Sequence, residues 1–248
     1  LAGICAMFSG GKDSTVLTHL FRSRVTHAIH ANTTIGIEET RRFVREVSRQ
    51  WELNLLEYEP NQADRYRTLV LEHGFPGPGM HMKMYQRLKE RAFHKARREL
   101  VGNGRRQRVI FLAGRRRSES TRRARIPLFD RDGSIVWVSP MVNWTNSDLN
   151  SSRAVHDDLP TNPVSDLLHM SGECLCGAFA RAHELDEIAF WYPAVAAEIR
   201  ELETVIADRD DIPNYRKIWG WGGDSETLRR SRREDRQATA GAESLGLV

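Results

Sequence analysis

Six consecutive residues, Ser9-Gly10-Gly11-Lys12-Asp13-Ser14, combine the side chains and the backbone freedom that an anion site needs. They follow an apolar run, Ile4-Cys5-Ala6-Met7-Phe8, and precede Val16, Leu17, Leu20 and Phe21 at helical spacing. A buried strand, a glycine turn and a helix start therefore follow one another. Two glycines let the backbone approach a ligand and take angles that a β-carbon forbids. The free N–H groups of the helix's first turn point at that ligand, and the helix dipole favours negative charge there. Ser9, Asp13 and Ser14 can cap the turn or bond a phosphate oxygen. The plain alternative is a glycine turn before a capped helix. The spacing is neither a GxxxxGK[ST] loop nor a GxGxxG dinucleotide fingerprint.

The elements that must hold this loop alternate through the first 140 residues, which predicts an α/β fold: a doubly wound, mostly parallel, five-stranded Rossmann-like sheet with helices on both faces. Val25 to Ala31 reads as a second strand and Leu53 to Tyr58 as a third. Phe43, Val44, Val47 and Trp51 form a helical stripe between them. Arg65 to His73 reads as a helix stopped at Gly74, Phe75 to Gly79 as a loop, and Met82 to Leu100 as one amphipathic helix. Arg108 to Ala113 and Ile135 to Val138 supply strands four and five, while Asp148 to Pro163 is expected to be irregular. Ala178 to Ala207 holds two helices, the second opened by Pro193, with Val195, Ile199, Leu202 and Ile206 as its core face. The expected organisation is a nucleotide-binding domain over 1–176, a helical extension packed on it over 177–223, and a flexible charged tail over 224–248.

A chain of 248 residues, 40% hydrophobic and 28% charged, has the composition of a soluble globular protein. It has no apolar stretch near the ~18 residues of a membrane span and no visible signal peptide. Three cysteines argue for a reducing, cytoplasmic compartment over a disulfide framework. Net charge is only +4, but its distribution is uneven: five of the 37 basic residues are lysines, and nine arginines fall between Gly104 and Arg125 with Glu119 as the only acid. Arginine's planar fork suits phosphate. A solvated face or a nucleic-acid patch would also account for the run.

In open α/β sheets ligands sit at the carboxyl ends of strands. After strand two come His30, Asn32, Glu39 and Thr40; after strand four come Gly114, Arg116, Arg117, Glu119, Ser120 and Arg123. The loop SGGKDS resembles that of the PP-loop ATP pyrophosphatases, also called nucleotide α-hydrolases. The register sharpens the likeness to the phosphoadenylylsulfate (PAPS) reductase-like branch, which carries G-x-R-R-x-[EQ]-S-x-x-R after a strand. Glu39-Thr40, Leu88-Lys89, the set Pro140, Trp144, Asp148 and Leu149, the pair Asn162-Pro163, and Gly172-Glu173-Cys174 also match that branch. The resemblance spans about Ile4 to Cys176. It implies an adenine nucleotide α-hydrolase-like fold and a nucleotide site built from Ser9, Gly10, Gly11, Lys12, Asp13, Ser14, His30, Asn32, Glu39, Gly114, Arg116, Arg117, Glu119 and Ser120. Lys12, Asp13, Lys89, Arg116, Arg117 and Arg123 are the implied catalytic groups, and Asp13 a candidate Mg²⁺ ligand.

The chain departs from the reductases in its thiols. No cysteine follows Cys176, Met84-Tyr85 stand where the iron–sulfur reductases carry paired cysteines, and Cys174-Leu175-Cys176 replaces a CxxC. An iron–sulfur cluster is therefore not expected. ATP cleavage between the α- and β-phosphates, with AMP passed to an acceptor, remains. DNA phosphorothioation systems contain relatives of this kind, so DNA or another nucleic acid, sulfur-pathway proteins and further copies of the chain are candidate partners. A sulfonucleotide reductase with an unusual thiol source and a non-catalytic nucleotide-binding subunit are the alternatives. His169, Cys174, Cys176 and His183 form a loose metal-ligand spacing, or else a turn with two small buried thiols.

Overall fold

The structure, a computed structural model, describes residues 1–223; the expected tail over 224–248 lies outside the described residues. The elements run β1 (Gly3–Met7), α1 (Lys12–Phe21), β2 (His27–Ala31), α2 (Glu38–Gln50), β3 (Asn54–Tyr58), α3 (Tyr66–His73) and α4 (His81–Tyr85). Then come α5 (Arg91–Leu100), β4 (Val109–Leu112), β5 (Phe129–Asp132), β6 (Ile135–Val138), α6 (Asn146–Val155), α7 (Pro163–Leu167), α8 (Glu184–Trp191) and α9 (Pro193–Ile206). They divide into two compact units, one of 1–60 with 89–174 and the other of 61–88 with the residues from Leu175 onward. The segment 61–88, which the sequence reading placed in the first domain, thus groups with the C-terminal helices.

The first unit is built on a six-stranded sheet of order β3-β2-β1-β4-β6-β5. β1 pairs in parallel with β2 and β4, β2 with β3, and β4 with β6, whereas β5 runs antiparallel to β6. The expected count of five strands is corrected to six. β5, Phe-Asp-Arg-Asp, is exposed along its length, so it shows no alternation of apolar and polar residues; a tight turn through Gly133 pairs it to β6 as a hairpin strand.

Side-chain alternation feeds both faces. Cys5, Ile29, Phe111 and Ile135 pack with Ala92 and Ala96 of α5 on one face. Leu112 packs with Val16 and Leu17 of α1 and Leu149 of α6, and Phe8 and Ala28 with Val44 and Val47 of α2, on the other. Each large side chain buried here contributes about 1.5–3 kcal/mol. The Cys5 thiol is pushed up to about 12 by burial, so it acts as a small apolar core residue.

Two further expectations change. The stretch after Asp148 is helical because Thr145 and Asp148 form a capping box: the Thr145 hydroxyl accepts from the Asp148 amide at 3.2 Å, and the Asp148 carboxylate accepts from the Thr145 amide at 2.7 Å. The single helix expected over Met82 to Leu100 is interrupted by a π-helical turn over Gln86–Glu90, a feature hydrophobic spacing does not reveal.

Within the second unit, α3 packs on α9 through Leu69, Val70, Val195, Ile199 and Leu202, all buried. Trp219 and Trp221 donate their indole N–H groups to the Leu175 and Phe75 carbonyls, at 2.8 and 2.9 Å. Among the described residues no helix is long and apolar enough to cross a membrane.

Candidate functional site

Strand order reverses at β1, whose chain neighbour β2 lies on one side and β4 on the other. A crevice opens at such a switch point, beyond the carboxyl ends of the strands. The loop 9–14 leaves β1 there. Gly10 has φ +75°, and a β-carbon on it would stand 2.9 Å from Thr40 Cγ2. Gly11 caps α1 without any side-chain hydrogen bond to the first turn, so the leading amides of the helix are not engaged by a capping side chain. The loop is braced by its serines. Ser14 Oγ donates to the Gly11 carbonyl at 3.0 Å, accepts from the Ser9 amide at 3.3 Å and lies 3.1 Å from Ser9 Oγ. Thr15 Oγ1 also donates to the Gly11 carbonyl, at 2.9 Å.

The loop after β4 closes on the same helix start. A β-carbon on Gly114 would meet the Asp13 carbonyl carbon and oxygen at 3.0 Å, so only glycine lets the two backbones approach this closely. Arg116 then reaches Asp13: its Nε and Nη2 face the two carboxylate oxygens, and Nη1 donates to Asn146 Oδ1 at 3.0 Å and to Ser118 Oγ at 3.2 Å. The Arg116 side chain is only 4% exposed. The expected phosphate-facing arginine and the expected Mg²⁺ ligand therefore hold each other. Arg117 is exposed and ties its loop down, donating to the Ile126 carbonyl at 2.9 Å and to Asn143 Oδ1 at 2.8 Å. Arg123 pairs with Glu119, and Ser120 is exposed beside them.

Lys12 pairs with Asp166 at 3.1 Å and keeps part of its side chain open to solvent. Asp166 is shared with Arg153 at 3.2 Å. Of the residues after β2, Glu39 is exposed on the first turn of α2. His30 and Asn32 are buried struts instead of ligand-facing groups. His30 Nδ1 bonds the Phe8 carbonyl at 2.8 Å, and its Nε2 lies 3.0 Å from Glu173 Oε2. Asn32 donates to Glu57 and Glu59 at 3.2 Å and accepts from the Thr34 amide at 3.0 Å. Glu57 is held below the usual carboxylate range, chiefly by its hydrogen bonds from Arg45. Lys89 sits partly buried in the π-helical turn and makes no hydrogen bond or ion pair among the described residues.

The residues sequence reasoning left without a role are the ones that lock the cradle from behind. Asn162 Nδ2 donates to the Gly10 carbonyl at 2.9 Å and to Thr40 Oγ1 at 3.1 Å, while Thr40 donates to the Ser171 carbonyl at 2.7 Å. Glu173, 1% exposed, accepts from the Thr33 amide at 2.8 Å. The signal for Asn162 was its place before Pro163, an N-cap followed by proline. Glu173 lay inside the matched Gly172-Glu173-Cys174 motif, but nothing local gave it a role, because what marks it is burial. Among the described residues, the metal-capable grouping of three donors is His19, His156 and Asp158; none of His169, Cys174 or Cys176 belongs to such a group.

A family profile described as phosphoadenosine phosphosulfate reductase domain matches residues 3–166. The chain belongs to that family. The matched span runs from β1 through most of α7, so it holds the glycine loop, Gly114, Arg116 and Asn162. A search of curated proteins found no match. Among solved structures, the chain is similar to the phosphoadenylyl-sulfate (PAPS) reductase of Candida auris in a phosphate complex, with 20% identity and a TM-score of 0.49, over 66% of this chain and 77% of that one. It is also similar to the FMN adenylyltransferase of Candida glabrata in complex with FAD and inorganic pyrophosphate, with 14% identity and a TM-score of 0.47, over 67% of this chain and 52% of that one.

Proposed function

We propose that this family member binds ATP at the Ser9–Ser14 loop, cleaves it between the α- and β-phosphates, and passes AMP to an acceptor. The observation that carries the reading is the β1–α1 turn itself. Gly10 lies in the left-handed region, Gly11 leaves the first turn of α1 without a side-chain cap, and Gly114 brings a second loop against the same turn. Such a turn suits the β,γ-pyrophosphate. An acceptor oxygen attacks the α-phosphorus, the bond to the bridging oxygen breaks, and pyrophosphate leaves with the electron pair. Lys12 stabilises the charge developing on the leaving group once a phosphate replaces Asp166 as its partner. Arg116 keeps the loops after β1 and β4 in register through Asp13.

Mg²⁺ fits this donor set poorly on the protein side, because both Asp13 oxygens face Arg116. No step is routed through it; when carried in by ATP it neutralises phosphate charge. The acceptor class we propose is nucleic acid in a sulfur-modification pathway of the phosphorothioation kind. This rests on the resemblance to such ATP pyrophosphatases and on the arginine-rich composition. None of the three cysteines is in a disulfide bond, in keeping with a cytoplasmic setting.

The test is product analysis. With ATP and Mg²⁺ the protein is expected to release AMP and pyrophosphate, and Lys12→Ala to slow that release by about 10²–10³-fold, the range for a lost electrostatic stabiliser. Formation of ADP and phosphate would overturn the reading. Sulfite from a sulfonucleotide with added thiol, lost in Cys174→Ser or Cys176→Ser, would replace it with reductase chemistry. Tight nucleotide binding without turnover would leave a sensing subunit.

A further inference from the structure

At the sheet edge opposite the glycine loop, the amino ends of β4 and β6 frame a cavity of about 530 Å³. Its cationic lining comes from three elements. Arg97 lies in the last turn of α5, Arg105 and Arg108 in the loop before β4, and Arg131 in β5. Arg108 is set in place by donating to the Gly104 and Gln107 carbonyls at 2.8 Å, and Arg131 by donating to the Gly133 carbonyl at 3.2 Å. Among the described residues none of these four guanidiniums is ion-paired. The one acid in the lining, Asp132, lies instead 3.9 Å from His94 Nε2. Eight other arginines of the first unit behave differently: Arg22, Arg41, Arg42, Arg45, Arg49, Arg116, Arg123 and Arg153 each have a carboxylate partner.

Four like charges around one cavity repel each other, and an anion spanning them removes the repulsion. The lining says which kind of anion. It offers no Phe, Tyr or Trp ring, its one imidazole, His94, lies beside Asp132, and its only large apolar side chain is Ile135, so it is not built as a nucleobase pocket. Arg98 and Arg106, both exposed, carry the same charge along the chain beyond the lining. A ligand that brings several phosphates in a row, without being read by its bases, matches this surface better than a mononucleotide. We infer that the arginine-lined cavity at the amino ends of β4 and β6 is an anchoring site for the phosphate backbone of a nucleic-acid strand. It lies away from the glycine loop and its use does not depend on ATP cleavage.

The test is fluorescence anisotropy of labelled 20-nucleotide single-stranded and duplex DNA on the whole chain, without ATP, from 50 to 200 mM salt. Binding is expected to weaken steeply with salt. Arg97→Gln/Arg105→Gln/Arg131→Gln should weaken it at least tenfold at low salt and flatten the log–log salt slope by about two to three, since each lost phosphate contact accounts for ~0.7–0.9. Arg42→Gln/Arg49→Gln/Arg200→Gln removes the same charge from ion-paired surface positions and should change affinity less than threefold. Arg105→Glu, at an exposed position, repeats the test should the triple variant fold poorly. The inference is overturned by an equal loss in both triple variants, by absence of salt-dependent binding, or by AMP displacing the oligonucleotide through these arginines at equal phosphate concentration. Because no ATP is present, failure here leaves the pyrophosphate assay untouched, and the reverse.

Discussion

Arg116 and Arg117 are adjacent in the chain, yet the fold gives them different tasks. Arg116 is buried on Asp13 and Asn146, whereas Arg117 is exposed on Asn143 and a carbonyl. Of these two implied catalytic groups, Arg116 therefore also carries a structural task. Arg116→Ala is expected to lower stability by about 1.5–3 kcal/mol, the range for hydrogen bonds to charged groups. Arg117→Ala should stay within ~1 kcal/mol, as exposed polar contacts do; urea unfolding of the two variants checks the contrast. His19 offers a pH test. Burial lowers its pKa from the ordinary 6.5, an effect larger than the opposing hydrogen bond to Asp158 and supported by Arg22 and His156. The native state thus binds fewer protons than the unfolded chain, so stability is full above the ordinary value and falls as pH drops through it. Asp158 is also lowered, first by Arg22, but its effect lies below 3.8, outside that window. Unfolding free energy is expected to fall between pH 7.5 and 5.5, and to fall less in His19→Gln. An equal slope in both proteins would assign the dependence elsewhere.

At the scale of elements, the cradle depends on how closely backbones approach. The β1–α1 turn is pressed by α2 through Thr40, by the N-cap of α7 through Asn162, and by the loop after β4 through Gly114. Gly114→Ala places a methyl 3.0 Å from the Asp13 backbone, which cannot yield without shifting α1. Loss of nucleotide affinity of at least tenfold is expected, measured by calorimetric titration with ATP. Retained affinity would show that the two loops need not touch. Glu173→Ala removes the acceptor of the buried Thr33 amide and the partner of His30. An orphaned buried donor costs about 1–3 kcal/mol, so this variant should melt earlier although Glu173 lies behind the loop, and Glu173→Gln should recover part of the loss.

For the whole molecule, ligand binding and stability are linked. If the glycine loop takes ATP, saturation at 100 times the dissociation constant adds about 2.7 kcal/mol to unfolding. A raised Tm with ATP, absent in Lys12→Ala, is the expected result; the same rise in the variant would move the nucleotide elsewhere. The glycine loop and the arginine-lined cavity lie at opposite ends of the parallel strands, the loop beyond the carboxyl end of β1 and the cavity at the amino ends of β4 and β6. A strand anchored at one end and a nucleotide held at the other need not compete.

The glycine loop, the five parallel strands, the apolar faces of α1 and α2 and the family were legible in the sequence because each is written locally, in spacing of two or 3.6 or in a contiguous motif. The helix after Asp148 was legible in principle through its capping box, but the polar residues around it hid the pattern. Other features have no local signature. β5 is exposed on both sides and exists because β6 offers it a partner. His30 and Asn32 stand at the carboxyl end of β2, where topology points to a ligand, yet Glu173 and Glu57, distant in sequence, take their polar atoms inward. The nine arginines between Gly104 and Arg125 read as one basic run. Parallel pairing of β4 with β1 sends Arg105 and Arg108 to one edge of the sheet and Arg115, Arg116 and Arg117 to the other. Sequence determined which residue types were available for phosphate; tertiary pairing decided which of them are left facing it, because a charge in a fold is spent on the nearest opposite charge that packing brings within reach.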